Sequence, residues 1–144
     1  MAVIKAVCIS DKKGVKKSPI PVAVLRENHG IEGDAHAGDW HRQVSLLGEE
    51  SIDKMRAEGL TLYDGDFAEN IVTKGITLYT LPVGTKLKMG EVLVEVTQIG
   101  KKCHTGCAIA KEVGNCIMPK EGIFVRVLHG GTLQEADVIE VLHD

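Results

Sequence analysis

The chain has 144 residues, a usual size for one domain, and its 44% hydrophobic and 26% charged residues are typical of a globular protein rather than a disordered one. The net charge of −3 is weak evidence against a dedicated nucleic-acid-binding protein, and no apolar run is long enough to span a membrane. Because the N-terminus carries no recognisable secretory signal, we expect a single cytoplasmic domain over residues 1–144.

The sequence favours strands over a helical bundle. Aromatic residues make up only 3% of the chain, so the core must be built from Val, Ile and Leu, of which the β-branched Val and Ile suit a pleated surface. Alternation is clearest where Val92, Val94 and Val96 share one face, and the turn at Gly90 predicts that this strand pairs with the one before it. In chain order, the predicted strands are 2–10, 21–27, 70–73, 85–89, 91–97, 122–128 and 138–142.

Helix is sparse. Residues 49–58 carry acids in the first turn, stop before a glycine and place Ile52 and Met55 on one face, which predicts a helix. Residues 105–113 are a second, weaker candidate that also stops before a glycine. Short strands along the whole chain, with little helix between them, predict a mainly β fold that forms a closed or nearly closed barrel.

The four cysteines indicate reduced thiols rather than a disulfide framework. A chain of this size can bury its own core without cross-links, and it shows no secretory signal. Cys8 lies in the apolar run of the first predicted strand, where a cysteine is usually a small buried hydrophobe. The other three are Cys103, Cys107 and Cys116.

Two polar segments are candidates for ligand-binding loops. In the first, Asp34 and His36 stand between two glycines, a pattern that suits a tight loop whose backbone approaches a ligand. Arg42 follows, and its planar guanidinium suits a phosphate or a carboxylate. In the second, Glu69 and Asn70 place an acid and an amide at the start of a predicted strand. Each segment by itself also fits an ordinary turn.

The strongest candidate for chemistry is Cys103. Lys101 and Lys102 precede it and His104 follows, and positive neighbours favour the thiolate, which is the nucleophilic and metal-binding form. A buried structural cysteine rarely has such polar neighbours, so a reactive or ligating role is preferred. Arg126 is a further basic residue in a predicted strand, where it either meets an anion or lies on a solvated face.

A Cys/His metal or redox site is an alternative interpretation of the same region. Cys103, His104, Cys107 and Cys116 supply possible ligands within a short stretch, and tetrahedral zinc accepts such sets. The C-x3-C-x8-C spacing is not that of a standard zinc knuckle, so this hypothesis ranks below a reactive thiol.

Together, these segments resemble the MOSC domain family, named after the C-terminal domain of molybdenum-cofactor sulfurases. The resemblance covers nearly the whole chain and rests on the order and spacing of several short motifs. The matching segments are Gly33-Asp34-x-His36-x-Gly38, Arg42-Gln43-Val44-Ser45-Leu46, Phe67-x-Glu69-Asn70, the hairpin over 84–90, Val94-x-Val96-Thr97, Cys103, and Gly122-Ile123-Phe124-x-Arg126-Val127 with Gly130-Gly131.

The resemblance implies a MOSC-type β-barrel, of the pyruvate-kinase-like kind, with one to three short helices. It also implies binding of a molybdopterin-type molybdenum cofactor, with Cys103 matching the family cysteine. The full-length sulfurases raise a persulfide with pyridoxal phosphate in an aminotransferase-like domain that these residues lack, so no pyridoxal phosphate is expected here. The expected partners are therefore a cysteine desulfurase or other sulfur donor, and a molybdoenzyme or cofactor-biosynthesis protein. Neither nucleic acid nor a membrane is expected.

On this resemblance, the candidate residues divide by the part of the cofactor they suit. His36 and Glu69 complete the expected cofactor-binding set. The assignments are Arg42, Lys101, Lys102 and Arg126 to the phosphate, Asp34 and Asn70 to the pterin edges, and Cys103 to molybdenum or to a sulfane sulfur.

Four functions remain open from the sequence. The first is transfer of sulfur to the molybdenum cofactor by a persulfide-forming or metal-contacting Cys103, and the second is a non-catalytic carrier of the cofactor. The third is the Cys/His metal or redox site, with Cys107 and Cys116 among its ligands. The fourth is a domain for protein–protein contact whose cysteines only pack.

Overall fold

The computed structural model describes residues 2–13, 15–100 and 121–142. Over these residues the fold is mainly β, as predicted, and none of its helices is long and apolar enough to cross a membrane. In chain order, the elements are β1 (Val3–Ile9), β2 (Ser18–Ile20), β3 (Val22–Arg26), β4 (Gly30–Ile31), β5 (Val44–Gly48), α1 (Glu49–Arg56), β6 (Ile71–Lys74), a 3-10 helix (Leu78–Thr80), β7 (Lys86–Met89), β8 (Val92–Ile99), β9 (Ile123–His129), β10 (Gly131–Gln134) and β11 (Ile139–Leu142).

The strands form two sheets. The larger has eight strands in the order β11-β7-β8-β9-β5-β6-β1-β2, and the smaller has the order β10-β3-β4. Within the larger sheet β5 and β6 run parallel, while the other neighbours are antiparallel. The predicted hairpin is present, with Met89 opposite Val92 and Lys86 opposite Glu95 in the β7–β8 register.

The larger sheet curls back towards itself. Backbone N–H groups of Ile4 and Ile139 donate to the carbonyl oxygens of Asp137 and Ala2, each at 2.8 Å. These bonds bring the start of β1 next to the start of β11, which lies at the far edge of the strand order. In the described part of the chain, the result is a nearly closed arrangement of two sheets rather than one continuous closed barrel.

β5 separates two apolar cores and supports the loop that precedes it. Val44 and Leu46 pack in the larger core with the inward face of β8, whereas Leu47 packs in a second core with α1. Every residue of β5 is buried. A strand covered on both faces has no polar alternation, which explains why the sequence did not predict it.

The predicted helix over 49–58 is confirmed as α1, with Ile52 and Met55 buried on the face that packs against the second core. The second helix candidate, residues 105–113, lies outside the described residues.

Candidate functional site

A buried ion pair fixes the loop that follows β4. The Nζ atom of Lys17 lies 2.7 Å from Oδ1 of Asp34, and both side chains are 0% exposed. The backbone N–H groups of Ser10 and His36 donate to the two carboxylate oxygens of Asp34, each at 3.1 Å. Burial alone would raise the pKa of Asp34, but the bond and charge of Lys17, with these N–H donors, hold the pKa below its usual range. Asp34 therefore ties its own loop to the end of β1.

Arg42, at the end of the same loop, contacts two aromatic rings. Its guanidinium carbon lies 4.9 Å from the centre of the Trp40 ring and 5.5 Å from that of Phe124, at the start of β9. Arginine over an aromatic face is favourable, and the two contacts hold the planar fork in one orientation. The Nε atom of Arg42 is buried and has no hydrogen-bond partner among the described residues. A buried donor of this kind is costly to leave unpaired, so it fits an acceptor brought by a ligand.

The Trp40 ring, which Arg42 contacts, is also close to the side chains of His36 and Lys13. It is stacked on the His36 ring, with centroids 6.5 Å apart and an interplanar angle of 5°. Its Nε1–H donates to the backbone oxygen of His36 at 2.7 Å, and the Nζ of Lys13 lies 4.9 Å from its ring centre. Two cations, Arg42 of this loop and Lys13 of the segment between β1 and β2, thus lie with the imidazole of His36 around one indole, which is an arrangement suited to an anionic ligand.

The Arg42 loop lies beside the ends of two strands of the larger sheet. The ring Nε2 of His41 is 2.9 Å from the side-chain oxygen of Gln98, whose amide nitrogen donates to Gly100 O at 2.7 Å. The N–H of Gly100 in turn donates to the carbonyl of Gly122 at 2.6 Å. The chain therefore leaves the sheet after β8, and returns to it before β9, next to the loop that holds Arg42.

The amide of Asn70 links three strands. Its oxygen accepts from the backbone N–H of Ser45 at 3.0 Å, and its nitrogen donates to the carbonyl of Cys8 at 3.0 Å. The hydroxyl of Ser45 also lies 3.2 Å from the Asn70 oxygen. Asn70 is fully buried, so these bonds hold β1, β5 and the start of β6 together. Its predicted contact with the cofactor stays a prediction.

Glu69 is buried in the core rather than presented on the surface. One carboxylate oxygen accepts from the N–H of Phe67 at 3.0 Å, and the other has no partner in the described part of the chain. Burial raises the pKa of Glu69 to about 7, with Asp64 adding to the rise against several backbone donors. The predicted role of Glu69 in binding the cofactor also stays a prediction.

Cys8 is a small buried residue of the core, as the sequence predicted. The side chain is fully buried, and burial raises the pKa of its thiol to about 12, with the charges of Glu69 and Asp64 adding to the rise. Such a thiol is protonated and unreactive at neutral pH.

Arg126 lies on the exposed side of β9, opposite Glu95 of β8. It borders a groove of about 270 Å³ that is also lined by Glu27 and Asn28. The structure therefore brings Asp34, His36 and Arg42 together in one loop, with Arg126 elsewhere on the strand that carries Phe124.

The remaining predicted site residues lie outside the described residues. Among the residues that are described, no group of three or more His, Cys, Asp or Glu side chains is arranged to hold a metal ion. The predicted residues that lie outside are Lys101, Lys102, Cys103, His104, Cys107 and Cys116.

Sequence reasoning missed three residues that shape the site. Trp40 is the only tryptophan of the chain and lies between the predicted His36 and Arg42, so its position was a usable signal. Phe124 belongs to the predicted strand, yet nothing local shows that its ring meets Arg42. Lys17 lies in a charged segment, where a lysine is normally solvated, and only the fold shows that it is buried.

Comparisons with known proteins place this arrangement in a family. A family model described as the MOSC domain matches residues 32–140, which include the Asp34 loop, β5 and the segment with Cys103. A search of curated protein sequences found no match.

Solved structures share the fold at low sequence identity. The YuaD protein from Bacillus subtilis superposes with a TM-score of 0.79 at 17% identity, covering 98% of this chain and 96% of that one. YiiM from Geobacillus stearothermophilus gives a TM-score of 0.75 at 19% identity, over 99% of this chain and 76% of that one. YiiM from Escherichia coli gives 0.68 at 18% identity, over 100% and 71% of the two chains.

Proposed function

The chain belongs to the MOSC domain family, and on that basis we propose that it binds a molybdopterin-type molybdenum cofactor and carries or transfers sulfur through Cys103. The family takes its name from molybdenum-cofactor sulfurases. In this proposal the cofactor is the substrate or cargo of the protein and not a resident group.

The observation that carries the proposal is how the guanidinium of Arg42 is held and that its Nε lacks a hydrogen-bond partner in the described part of the chain. Its guanidinium is held against Trp40 and Phe124, while its buried Nε lacks an acceptor in the described part of the chain. A phosphate monoester, such as the one at the end of a molybdopterin, accepts from such a fork. In this proposal Lys101 and Lys102 add charge to the same phosphate.

Asp34 and Asn70 contribute to this arrangement indirectly, through bonds within the protein. The polar atoms of Asp34 and Asn70 are bonded within the protein, to Lys17 and to Ser45 and Cys8. We therefore assign Asp34 and Asn70 to holding the loop and the strands that carry Arg42, in place of the pterin contacts that the resemblance suggests.

The sulfur step is a thiol–disulfide type of exchange. The thiolate of Cys103 attacks the outer sulfur of a persulfide on the donor, a new S–S bond forms on Cys103, and the S–S bond of the donor breaks. The electron pair of that bond leaves with the donor thiolate, so no external oxidant or reductant is needed. Cys103 then holds the sulfur as a persulfide for the cofactor.

The proposal includes the partners that this chemistry requires. A cysteine desulfurase or another persulfide-forming protein supplies the sulfur, and a molybdoenzyme or a cofactor-biosynthesis protein receives the product. Pyridoxal phosphate acts in the donor and not in this chain. A reducing cytoplasm suits this chemistry because it keeps Cys103 as a reduced thiol and out of disulfides.

A non-catalytic carrier is the second candidate function. The described groups around Arg42 are binding groups, namely cations, aromatic rings and an imidazole, and they serve storage or delivery of the cofactor equally well. The two functions share the phosphate contact at Arg42 and differ only in whether Cys103 accepts sulfur.

The test uses protein purified anaerobically from a host that makes the molybdenum cofactor. We expect pterin fluorescence in the oxidised extract and, by intact-protein mass spectrometry, one added sulfur that is absent from Cys103→Ala and retained in Cys8→Ala. Pterin without added sulfur on Cys103 would support the carrier function instead.

Two results would contradict the proposal. One is wild-type protein with neither pterin nor a persulfide under these conditions. The other is stoichiometric zinc that is lost on Cys107→Ser, which would favour the Cys/His metal site.

A further inference from the structure

A β-bulge interrupts the pairing of β8 with β9. Val96 lies opposite Val125 and Gln98 lies opposite Phe124, so Thr97 is an extra residue of β8 with no counterpart in β9. A bulge bends its strand locally and is common next to binding sites, where it re-aims a side chain. This bulge lies near the end of β8, next to the start of β9.

Both Thr97 and Gln98 contact His41, the residue that directly precedes Arg42. The hydroxyl of Thr97 donates to the backbone carbonyl of His41. The side-chain oxygen of Gln98 lies 2.9 Å from the ring Nε2 of His41, and the amide nitrogen of Gln98 donates to the carbonyl of Gly100 at 2.7 Å. Two successive residues of β8 therefore hold His41 by its backbone and by its side chain.

The hydroxyl of Thr97 also reaches β9. Its Oγ1 atom lies 3.1 Å from the backbone carbonyl oxygen of Phe124. Because a threonine hydroxyl has one hydrogen, the carbonyls of His41 and Phe124 share a single donor and are held next to one oxygen atom. The place of Arg42 depends on both, since His41 precedes it and the Phe124 ring centre lies 5.5 Å from its guanidinium carbon.

We propose that Thr97 is a positioning residue, whose hydroxyl holds the backbone before Arg42 against β9 and so sets the guanidinium on the Phe124 ring for binding an anion. Within the described part of the chain, this guanidinium makes ring contacts but no hydrogen bond or ion pair. Its orientation therefore depends on the backbone that carries it. That the anion is the phosphate of the cofactor rests on the proposed function, whereas the positioning of Arg42 by Thr97 does not.

The first test measures the position of Arg42 directly. In 1H–15N spectra, its Nε–H signal should lie upfield of ordinary arginine signals, because ring currents shield a group that lies over an aromatic face, and Arg42→Lys identifies the signal. Valine is β-branched like threonine and suits a strand equally well, so Thr97→Val removes only the hydroxyl function. We expect the upfield shift to be lost in Thr97→Val and retained in Thr97→Ser, which restores the donor.

Two results of this test would overturn the proposal. One is an Arg42 signal at the ordinary position in the wild type, and the other is an unchanged upfield signal in folded Thr97→Val. A role of Thr97 in stability alone would give the second result, with a lower free energy of unfolding and no movement of Arg42.

Thr80→Val is the matched control for the lost hydroxyl. The hydroxyl of Thr80 donates to the backbone carbonyl of Thr77 at 2.8 Å, so the variant loses a bond of the same kind in the 3-10 helix. We expect the Arg42 signal to stay in place. An equal movement in Thr80→Val and Thr97→Val would show a general loosening of the fold and would overturn the specific role of Thr97.

The second test uses inorganic phosphate as the probe and follows the same Nε–H signal. Phosphate should bind about tenfold more weakly to Thr97→Val than to the wild type, and within about twofold of the wild type in Thr97→Ser. Equal binding by the wild type and Thr97→Val would overturn this inference and leave the phosphate contact of the proposed function standing. No binding by the wild type, with the Arg42 signal still lost in Thr97→Val, would overturn that phosphate contact and leave the positioning role of Thr97 standing.

Discussion

The backbones of Lys17 and Gly65 pack together so closely that no side chain fits between them. The N–H of Lys17 donates to the carbonyl oxygen of Gly65 at 2.8 Å, and a Cβ at position 65 would overlap the carbonyl oxygen of Lys17. Gly65 also has a φ of +91°, in the region that favours glycine. This contact sets the position of Lys17, and through it that of the Asp34 loop.

Gly65→Ala should therefore be strongly destabilising. The added methyl group must displace backbone, which is not a flexible neighbour, so we expect a loss of more than about 3 kcal/mol in the free energy of unfolding. Urea denaturation followed by the emission of Trp40 measures it. Gly59→Ala is the matched control, because Gly59 has a similar φ of +95° but nothing within 4 Å of its Cβ position.

The control separates backbone strain from steric overlap. Gly59→Ala should cost about 1 kcal/mol, the usual price of a left-handed alanine. Equal losses in the two variants would show that the close packing of Lys17 on Gly65 has no energetic weight.

Asn70→Ala should destabilise the joint between β1, β5 and β6. The substitution leaves the backbone N–H of Ser45 and the carbonyl of Cys8 buried without their partner, and each such group costs about 1–3 kcal/mol. We expect a loss of about 3 kcal/mol or more by chemical denaturation. The exposed Gln134→Ala should stay within about 0.5 kcal/mol of wild type. If Asn70→Ala changed the free energy of unfolding by no more than the Gln134→Ala control, water would have replaced the hydrogen bonds of the Asn70 amide.

Glu69 should make the protein less stable as the pH rises from about 4.5 towards neutrality. The folded-state pKa of about 7 lies above the ordinary value of 4.5, so the folded protein keeps a proton that the unfolded chain has lost. Stability should thus fall between about pH 4.5 and pH 7 and then level off with respect to this group. At about 1.4 kcal/mol per pH unit, the full difference is about 3 kcal/mol.

Glu69→Gln removes this titration and keeps an oxygen for the N–H of Phe67. The variant should match wild type near pH 4.5, exceed it by up to about 3 kcal/mol at pH 8, and show a flatter profile of unfolding free energy against pH. The exposed Glu58→Gln should leave the profile unchanged. A Glu69→Gln profile parallel to that of wild type would mean that the carboxylate does not titrate in this range.

The strands could be predicted where one face is buried and the other is wet. β8 is the clearest example, because Val92, Val94 and Val96 alternate with polar or half-exposed neighbours. β5 could not be predicted in this way, because it is buried on both faces and Ser45 interrupts its apolar run. The short β4, at Gly30–Ile31, has too few residues to show any period.

The candidate site, too, could be predicted only in part. The residue types of Asp34, His36 and Arg42 predicted a ligand-binding loop, and the structure places all three in one loop. The role of Asp34 depends on Lys17, which is distant in sequence and has no local pattern that marks it as buried. A contact made by the fold, such as that between Arg42 and Phe124, cannot be read from spacing alone.

Under the proposed function, Arg42→Gln should reduce the pterin recovered with the protein by about tenfold to a hundredfold. A charge-assisted hydrogen bond to phosphate contributes about 1.5–3 kcal/mol, which corresponds to that range. Arg42→Lys should give an intermediate loss, because it keeps the charge but not the planar fork that rests on Trp40 and Phe124. Pterin fluorescence per mole of folded protein in the oxidised extract measures both variants.

Arg26→Gln is the matched control for this prediction. Arg26 is an exposed arginine of β3 whose side chain pairs with Glu32, so its loss removes the same charge without removing the guanidinium that contacts Trp40 and Phe124. If net charge alone attracted the cofactor, the two glutamine variants would lose equal amounts of pterin. A loss confined to Arg42, graded from lysine to glutamine, is what a fork held against two rings requires, because only that geometry distinguishes the three side chains at position 42.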